Sequence, residues 1–215
     1  DGAGPTGVTV NGEEAAFGPA APDTAGWSFD ATNRTVTLSG AGAFTLAGVN
    51  VMGGVGIAVV PGVTNTVTLS NLTLRATANQ QCAFALGTNA NVSLVLTGTN
   101  TLASGFDRAG LEVAEGQTLS VTNAPGDAAG SLTVTGGGLS AGIGGGNCGD
   151  GGNVWIYSGT ITAIGGGCGA GIGGGFGKGG TVTINGGTVI TQGTYGGAGI
   201  GGGYDGAGGT VTING

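Results

Sequence analysis

Hydrophobic and polar residues alternate along this chain in short runs, and the runs recur. In residues 141–215 the string Ala-Gly-Ile-Gly-Gly-Gly occurs three times, starting at Ala141, Ala170 and Ala198, at intervals of 29 and 28 residues. Each copy leads through a Gly-rich bend into an alternating run: Asn153-Val-Trp-Ile-Tyr157, Thr181-Val-Thr-Ile-Asn185 and Thr210-Val-Thr-Ile-Asn214. The first two copies continue into Thr160-Ile-Thr-Ala163 and Thr188-Val-Ile-Thr191. A period of two places Val and Ile on one face and Thr on the other, which is the pattern of a half-buried strand. Runs of four or five residues have the length of short strands. Glycines and Asn-Gly steps separate them, as chain reversals require. A fixed interval of this size marks a stacked repeat, in which one coil cannot bury its own apolar face and must lie on the next. The pattern therefore predicts an all-β fold: a single-domain parallel β-solenoid, expected to wind right-handed, with three short strands per coil and rungs about 4.8 Å apart.

The same columns continue upstream of the glycine code. Ile57, Phe84, Leu111, Ile143, Ile172 and Ile200 align as one inward column, with spacings of 27, 27, 32, 29 and 28 residues. A second column runs through Val67/Leu69, Val92/Leu94, Leu119/Val121, Val154/Ile156, Val182/Ile184 and Val211/Ile213. A third runs through Leu72/Leu74, Leu102, Leu132/Val134, Ile161 and Val189. About six coils result over residues 51–215, with the regular Gly-rich repeats at 141–169, 170–197 and 198–215. The 32-residue coil carries an extra loop, residues 123–130, expected to project from a corner. Outward positions form polar ladders, one through Thr66, Asn91, Thr118, Asn153, Thr181 and Thr210, the other through Thr68, Ser93, Ser120, Trp155, Thr183 and Thr212. Asn147, Phe176 and Tyr204 follow the triple glycines as a further column, so Phe176 and Tyr204 should form an aromatic pair.

Residues 1–50 read differently. Val8-Thr-Val10, Gly26-Trp-Ser-Phe-Asp30 and Arg34-Thr-Val-Thr-Leu38 are strand-like, with a turn at residues 30–33, and Pro5, Pro19, Pro22, Glu13 and Glu14 cluster here. A solenoid needs an atypical terminal unit over its first rung. This segment is expected to be that N-terminal β cap, with Trp27 covering the core.

Composition narrows the function. Charged residues make up 7% of the chain, the net charge is −7, and Lys and Arg together number four, so no basic patch for nucleic acid or anionic membrane is expected. Of 55 glycines, 32 fall in the last 75 residues, where they are periodic and interleaved with Val, Ile and Thr, which favours order over a flexible linker. No apolar run approaches the roughly 20 residues of a membrane-spanning helix. No leader-like segment opens the chain, which points to a mature or trimmed form. Few Lys and Glu beside many Thr, Asn and Gly suggest a secreted or cell-surface location. Cys148 and Cys168 flank one coil and are candidates for a disulfide; small buried residues are the other reading. Cys82 lies too many rungs from Cys168 to reach it.

Candidate chemistry is sparse. Glycoside hydrolysis needs two carboxyl groups about 5–10 Å apart. Glu112 and Glu115 are neighbours at a strand end and a turn, and read as solvated turn carboxylates. Asp150 and Asp205 lie two coils apart and read the same way. No enzyme activity is expected. With no His and no Cys-x-x-Cys, no transition-metal site is expected. Calcium is the nearest cofactor alternative, but the nine-residue acidic spacing of calcium-binding rolls is not met.

Ala-Gly-Ile-Gly-Gly-Gly followed by Gly-Gly-Thr-Val-Thr-Ile-Asn-Gly resembles the Gly-rich β-helix repeats of bacterial secreted and cell-surface proteins, described as adhesin-like or carbohydrate-binding. Residues 26–38 resemble the segment that often precedes those repeats. The resemblance implies architecture and an extracellular setting, and it carries no catalytic residues. Three functions are in view. The first is a structural or adhesive solenoid, a stalk or filament subunit, that partners with itself head to tail through the edge Thr210, Val211, Thr212, Ile213 and Asn214. The second is a polysaccharide-binding module using Trp155 and Tyr157, with Phe176 and Tyr204 as further aromatic contacts. The third is ice binding, since Thr181/Thr183 and Thr210/Thr212 repeat Thr-x-Thr on adjacent coils, although Trp155 breaks that plane.

Overall fold

The computed structural model describes residues 5–16, 26–50, 54–76 and 78–215, with the side chains of Pro5 and Ala16 excepted; Pro19 and Pro22 lie outside these. The chain is an all-β parallel β-solenoid of about six turns. Three strands come first: β1 (Pro5–Val10), β2 (Glu13–Ala16) and β3 (Trp27–Asp30). The successive rungs follow. They are β4 (Thr35–Leu38) with β5 (Gly42–Asn50), then β6 (Gly56–Val59) with β7 (Thr64–Arg75). Next come β8 (Phe84–Ala85), β9 (Asn91–Thr97) and β10 (Thr99–Ala103), then β11 (Leu111–Glu112), β12 (Thr118–Asn123) and β13 (Ser131–Thr135). The Gly-rich rungs are β14 (Ile143–Gly144), β15 (Asn153–Ile156) and β16 (Thr160–Ile164), then β17 (Ile172–Gly173), β18 (Thr181–Ile184) and β19 (Thr188–Gln192), and finally β20 (Ile200–Gly201) with β21 (Thr210–Ile213).

The first face holds β4, β6, β8, β11, β14, β17 and β20 in order. Its inward column pairs as the aliphatic spacing predicts: Ile57, Phe84, Leu111, Ile143, Ile172 and Ile200 are direct partners in sequence, and Val36 extends the column one rung earlier. Parallel pairing thus begins at Thr35, inside the segment that the sequence sets apart as a cap. The antiparallel strands ahead of it are β3, which pairs with β4, and the β1–β2 hairpin, which joins β5. Trp27 and Phe29 on β3 are buried in the common core.

The second face runs β5, β7, β9, β12, β15, β18, β21, and the third runs β5, β7, β10, β13, β16, β19. In the early rungs these two faces share one strand. The twelve residues of β7 bend round the corner, with Asn71 in a left-handed conformation at φ 51° and a register irregularity against β5 at Ala47/Gly48. From β9 onward, three separate strands make each rung.

Two columns differ from the expected alignment. Between β7 and β9 the register is offset by two residues: Val67 faces Leu94 and Leu69 faces Leu96, while Asn65 takes the inward place opposite Val92. The outer ladders therefore start at Thr64 over Asn91 and Thr66 over Ser93. A two-residue slip keeps every side chain on its face, so alternation alone cannot detect it. On the third face the single expected column is two: Leu74, Leu102, Val134 and Ala163 form one, and Leu132, Ile161 and Val189 the other, with Asn100 inward opposite Leu132. Asn100 is wholly buried. It accepts from the Leu72 amide at 2.9 Å and donates to the carbonyls of Thr97 and Ser131 at 3.2 and 3.1 Å.

The glycine code has a steric cause. Gly144, Gly173 and Gly201 are stacked partners at φ 136°, 134° and 142°. A Cβ on Gly144 would overlap the Gly173 carbonyl oxygen, and one on Gly173 the Gly201 oxygen. Left-handed backbone and close approach by the next rung together leave room for glycine alone.

Candidate functional site

The first face is short, and this shapes the surface outside it. Its outward column runs Ala58, Ala85, Glu112, Gly144, Gly173 and Gly201. In the Gly-rich rungs the two corners flanking this face come together across it. Gly145 and Gly174 accept from Ala141 and Ala170 at 2.9 and 3.0 Å, and the Tyr204 amide reaches the Cys168 carbonyl at 2.9 Å. In the earlier rungs the corners stay apart and leave a groove of about 520 Å³. Ala58 and Ala85 line its floor, and Asn33, Arg34, Gln80, Gln81 and Arg108 its walls. A second hollow, lined by Asp107, Glu112 and Asn147, shares Gln80 and Arg108 with it.

Glu112 is not the solvated carboxylate that its place in the sequence suggests. On a two-residue strand in the concavity between two corners, its side chain is 18% exposed. Arg108 donates from Nη2 to Oε1 at 2.9 Å, and its Nε lies 2.9 Å from Oε2 as an ion-pair contact without hydrogen-bond geometry. Burial nevertheless pushes the Glu112 carboxyl up from its ordinary pKa, against the opposing pull of Arg108. Gln80 donates to Asp107 at 3.2 Å beside it. Cys82 lies beneath, its thiol pushed up to about 11, first by burial and then by the Glu112 charge. Sequence reasoning missed this grouping, because the five segments that build it are about one coil apart and meet only through stacking. Glu115 is exposed, as a turn carboxylate would be.

The residues singled out in the sequence lie elsewhere. Trp155 stands outward on β15 between Ser120 and Thr183, and Tyr157 follows the same strand; they are 42% and 47% exposed. Phe176 and Tyr204 meet at the corner ahead of β18 and β21, with ring centroids 5.7 Å apart and planes tilted by 34°. The structure thus joins Phe176 to Tyr204 and sets Trp155 and Tyr157 along a different part of the rung. Thr210, Val211, Thr212 and Ile213 pair in register with Thr181, Val182, Thr183 and Ile184, and all four are exposed, Ile213 by 67%. Asn214 donates from Nδ2 to Asn185 at 2.8 Å. Cys148 and Cys168, the candidate disulfide, are free thiols, each at a left-handed turn position on a different corner. Asp150 binds the next rung instead of pairing with Asp205. It accepts from the Lys178 amide at 2.7 Å and faces the Lys178 ammonium at 3.7 Å. The extra loop is fastened by Asp127, which accepts from the amides of Gly98 and Ala129 at 3.0 and 2.9 Å.

Among the described residues, no three His, Cys, Asp or Glu side chains group as metal ligands would. No protein-family model, curated protein or solved structure matches the chain.

Proposed function

We propose that this protein is a non-enzymatic structural and adhesive β-solenoid of the cell exterior that adds further rungs to its outermost one. One observation carries the reading. The outermost rung offers the same in-register Thr-Val-Thr-Ile surface that the rung before it offers to β21. The edges of β19, β20 and β21 are therefore templates for three more strands. The far ends of the two sheets are β2 and β3, antiparallel strands that pair on one side only among the described residues. A second copy docking its β2 and β3 on the outermost rung makes a head-to-tail contact that does not close, which is the geometry of a fibre. The resemblance of the Gly-rich repeats to adhesin-like surface proteins supports the extracellular setting. Light scattering and electron microscopy across a dilution series test the contact. Concentration-dependent rods are expected. Thr210 and Asn214 donate their amides to β18, so by alternation the Ile213 amide faces outward, and Ile213→Pro should abolish the rods by removing that ladder donor. A monomer at every concentration would remove self-assembly.

A second reading, polysaccharide binding, is supported by the exposed Trp155 and Tyr157 beside a ladder of hydroxyls. Aromatic rings with one open face stack on sugar rings, and the Thr and Ser ladder supplies hydrogen bonds. Retention on insoluble glycans should fall at least tenfold in Trp155→Ala. Unchanged retention would discard these residues as the adhesive surface.

A further inference from the structure

We infer that the groove outside the first face is a binding site for a neutral polyhydroxylated ligand, a saccharide chain lying along the solenoid axis. The site is separate from Trp155 and Tyr157 and does not depend on them.

The groove's shape comes first. Its floor residues Ala58 and Ala85 are direct partners on successive rungs, Glu112 follows them in the column at the groove's end, and Thr35 borders it one rung earlier. Four rungs span about 14 Å at the ordinary strand spacing. The groove has one closed end. Beyond Glu112 the outward column is glycine, and the corners fold over it. A chain lying in the groove therefore meets the Arg108–Glu112 pair as a stop.

Its chemistry follows. Asn33 and Gln80 each spend one amide hydrogen, on Asp30 and Asp107, and keep the second beside the acceptor oxygen; Asn79 adds a further amide, while Gln81 is tied to the Gly54 and Arg34 carbonyls. That arrangement matches adjacent hydroxyls, which also donate and accept. The methyls of Ala58 and Ala85 give a shallow apolar strip of the kind that the C–H face of a sugar ring covers. The charges are largely spoken for: Arg108 is held by Glu112, and Asp107 accepts from Gln80. A groove so balanced favours a neutral ligand over a polyanion.

Other occupants fit less well. A peptide added as a strand needs an open sheet edge. Here β8, at the middle of the floor, already pairs with β6 on one side and β11 on the other. A peptide held by its side chains needs deep apolar pockets, and the strip offers only methyls. Nucleic acid is disfavoured by a net charge of −7.

Affinity electrophoresis of the full chain tests the site, with gels containing mixed-linkage β-glucan, arabinoxylan, galactomannan or, as the acidic comparison, polygalacturonate. The wild type is expected to be retarded by at least one neutral polymer. Ala85→Leu fills the floor without removing a polar group, and Gln80→Ala removes one amide held by Asp107. Each should weaken retardation about tenfold at unchanged melting temperature, while Trp155→Ala retains it. Three results would overturn the proposal: no retardation by any neutral polymer, full retardation of both groove variants, or retardation by polygalacturonate alone. Retardation lost in Trp155→Ala and kept in the groove variants would move the sugar to the second face instead.

Discussion

At the scale of single residues, two kinds of position fix this structure: glycines where rungs come closest, and polar groups that burial has made dependent on one partner. Gly173 is of the first kind. An added methyl there meets the Gly201 carbonyl at a φ of 134°, which side chains rarely adopt. Gly173→Ala should cost on the order of 2 kcal/mol in denaturant unfolding. Gly208→Ala, where a Cβ finds open space and φ is ordinary, should change little. Equal effects would show that the close approach is absent. Glu112 is of the second kind. Burial makes its folded-state carboxyl hold a proton more tightly than the unfolded chain does. The folded state then binds the extra proton above the ordinary carboxylate pKa, so this group's contribution to stability falls as pH rises. Glu112→Gln lacks that slope. The melting temperature of wild type minus that of the variant should decline as pH rises through and above the ordinary carboxylate range; a flat or rising difference would contradict the desolvation of this carboxyl.

At the scale of strands, legibility in the sequence depended on how much each strand reveals. The first face was readable to the residue, because each of its short strands contributes one large aliphatic and the spacing admits a single alignment. The second face was readable from β9 onward for the same reason. It failed at β7, where twelve alternating residues tolerate a shift of two without changing any residue's face. The third face hid Asn100, since a polar residue in an apolar column looks like the column's end. Its three hydrogen bonds explain its place: one accepts from Leu72, and two tie it to Thr97 and Ser131 in the corner ahead of β10 and β13. Asn100→Ala should leave those backbone groups unpaired in the core and destabilise the chain by about 2–3 kcal/mol in urea unfolding. A loss below about 0.5 kcal/mol would mean that other groups replace the amide. The groove was beyond sequence reading, because its walls come from corners that no local pattern connects.

At the scale of the whole molecule, the solenoid has two unlike halves. The early rungs hold Phe84, the long β7, Asn100 and the loop fastened by Asp127, so each fits only its own neighbours. The late rungs are near copies: Thr181-Val-Thr-Ile184 and Thr210-Val-Thr-Ile213 present the same side chains in the same order, over the same stacked Ile-Gly pairs. The groove lies on the first half and the exposed aromatics Trp155 and Tyr157 on the second. Interchangeable rungs make the length divisible. Excising residues 170–197 would join Gly169 to Ala198 and bring Ile200 onto Ile143 and Thr210 onto Asn153, a junction chemically close to the original. Such an excision should shorten the solenoid by one rung, about 4.8 Å, while the irregular half and its groove stay as they are.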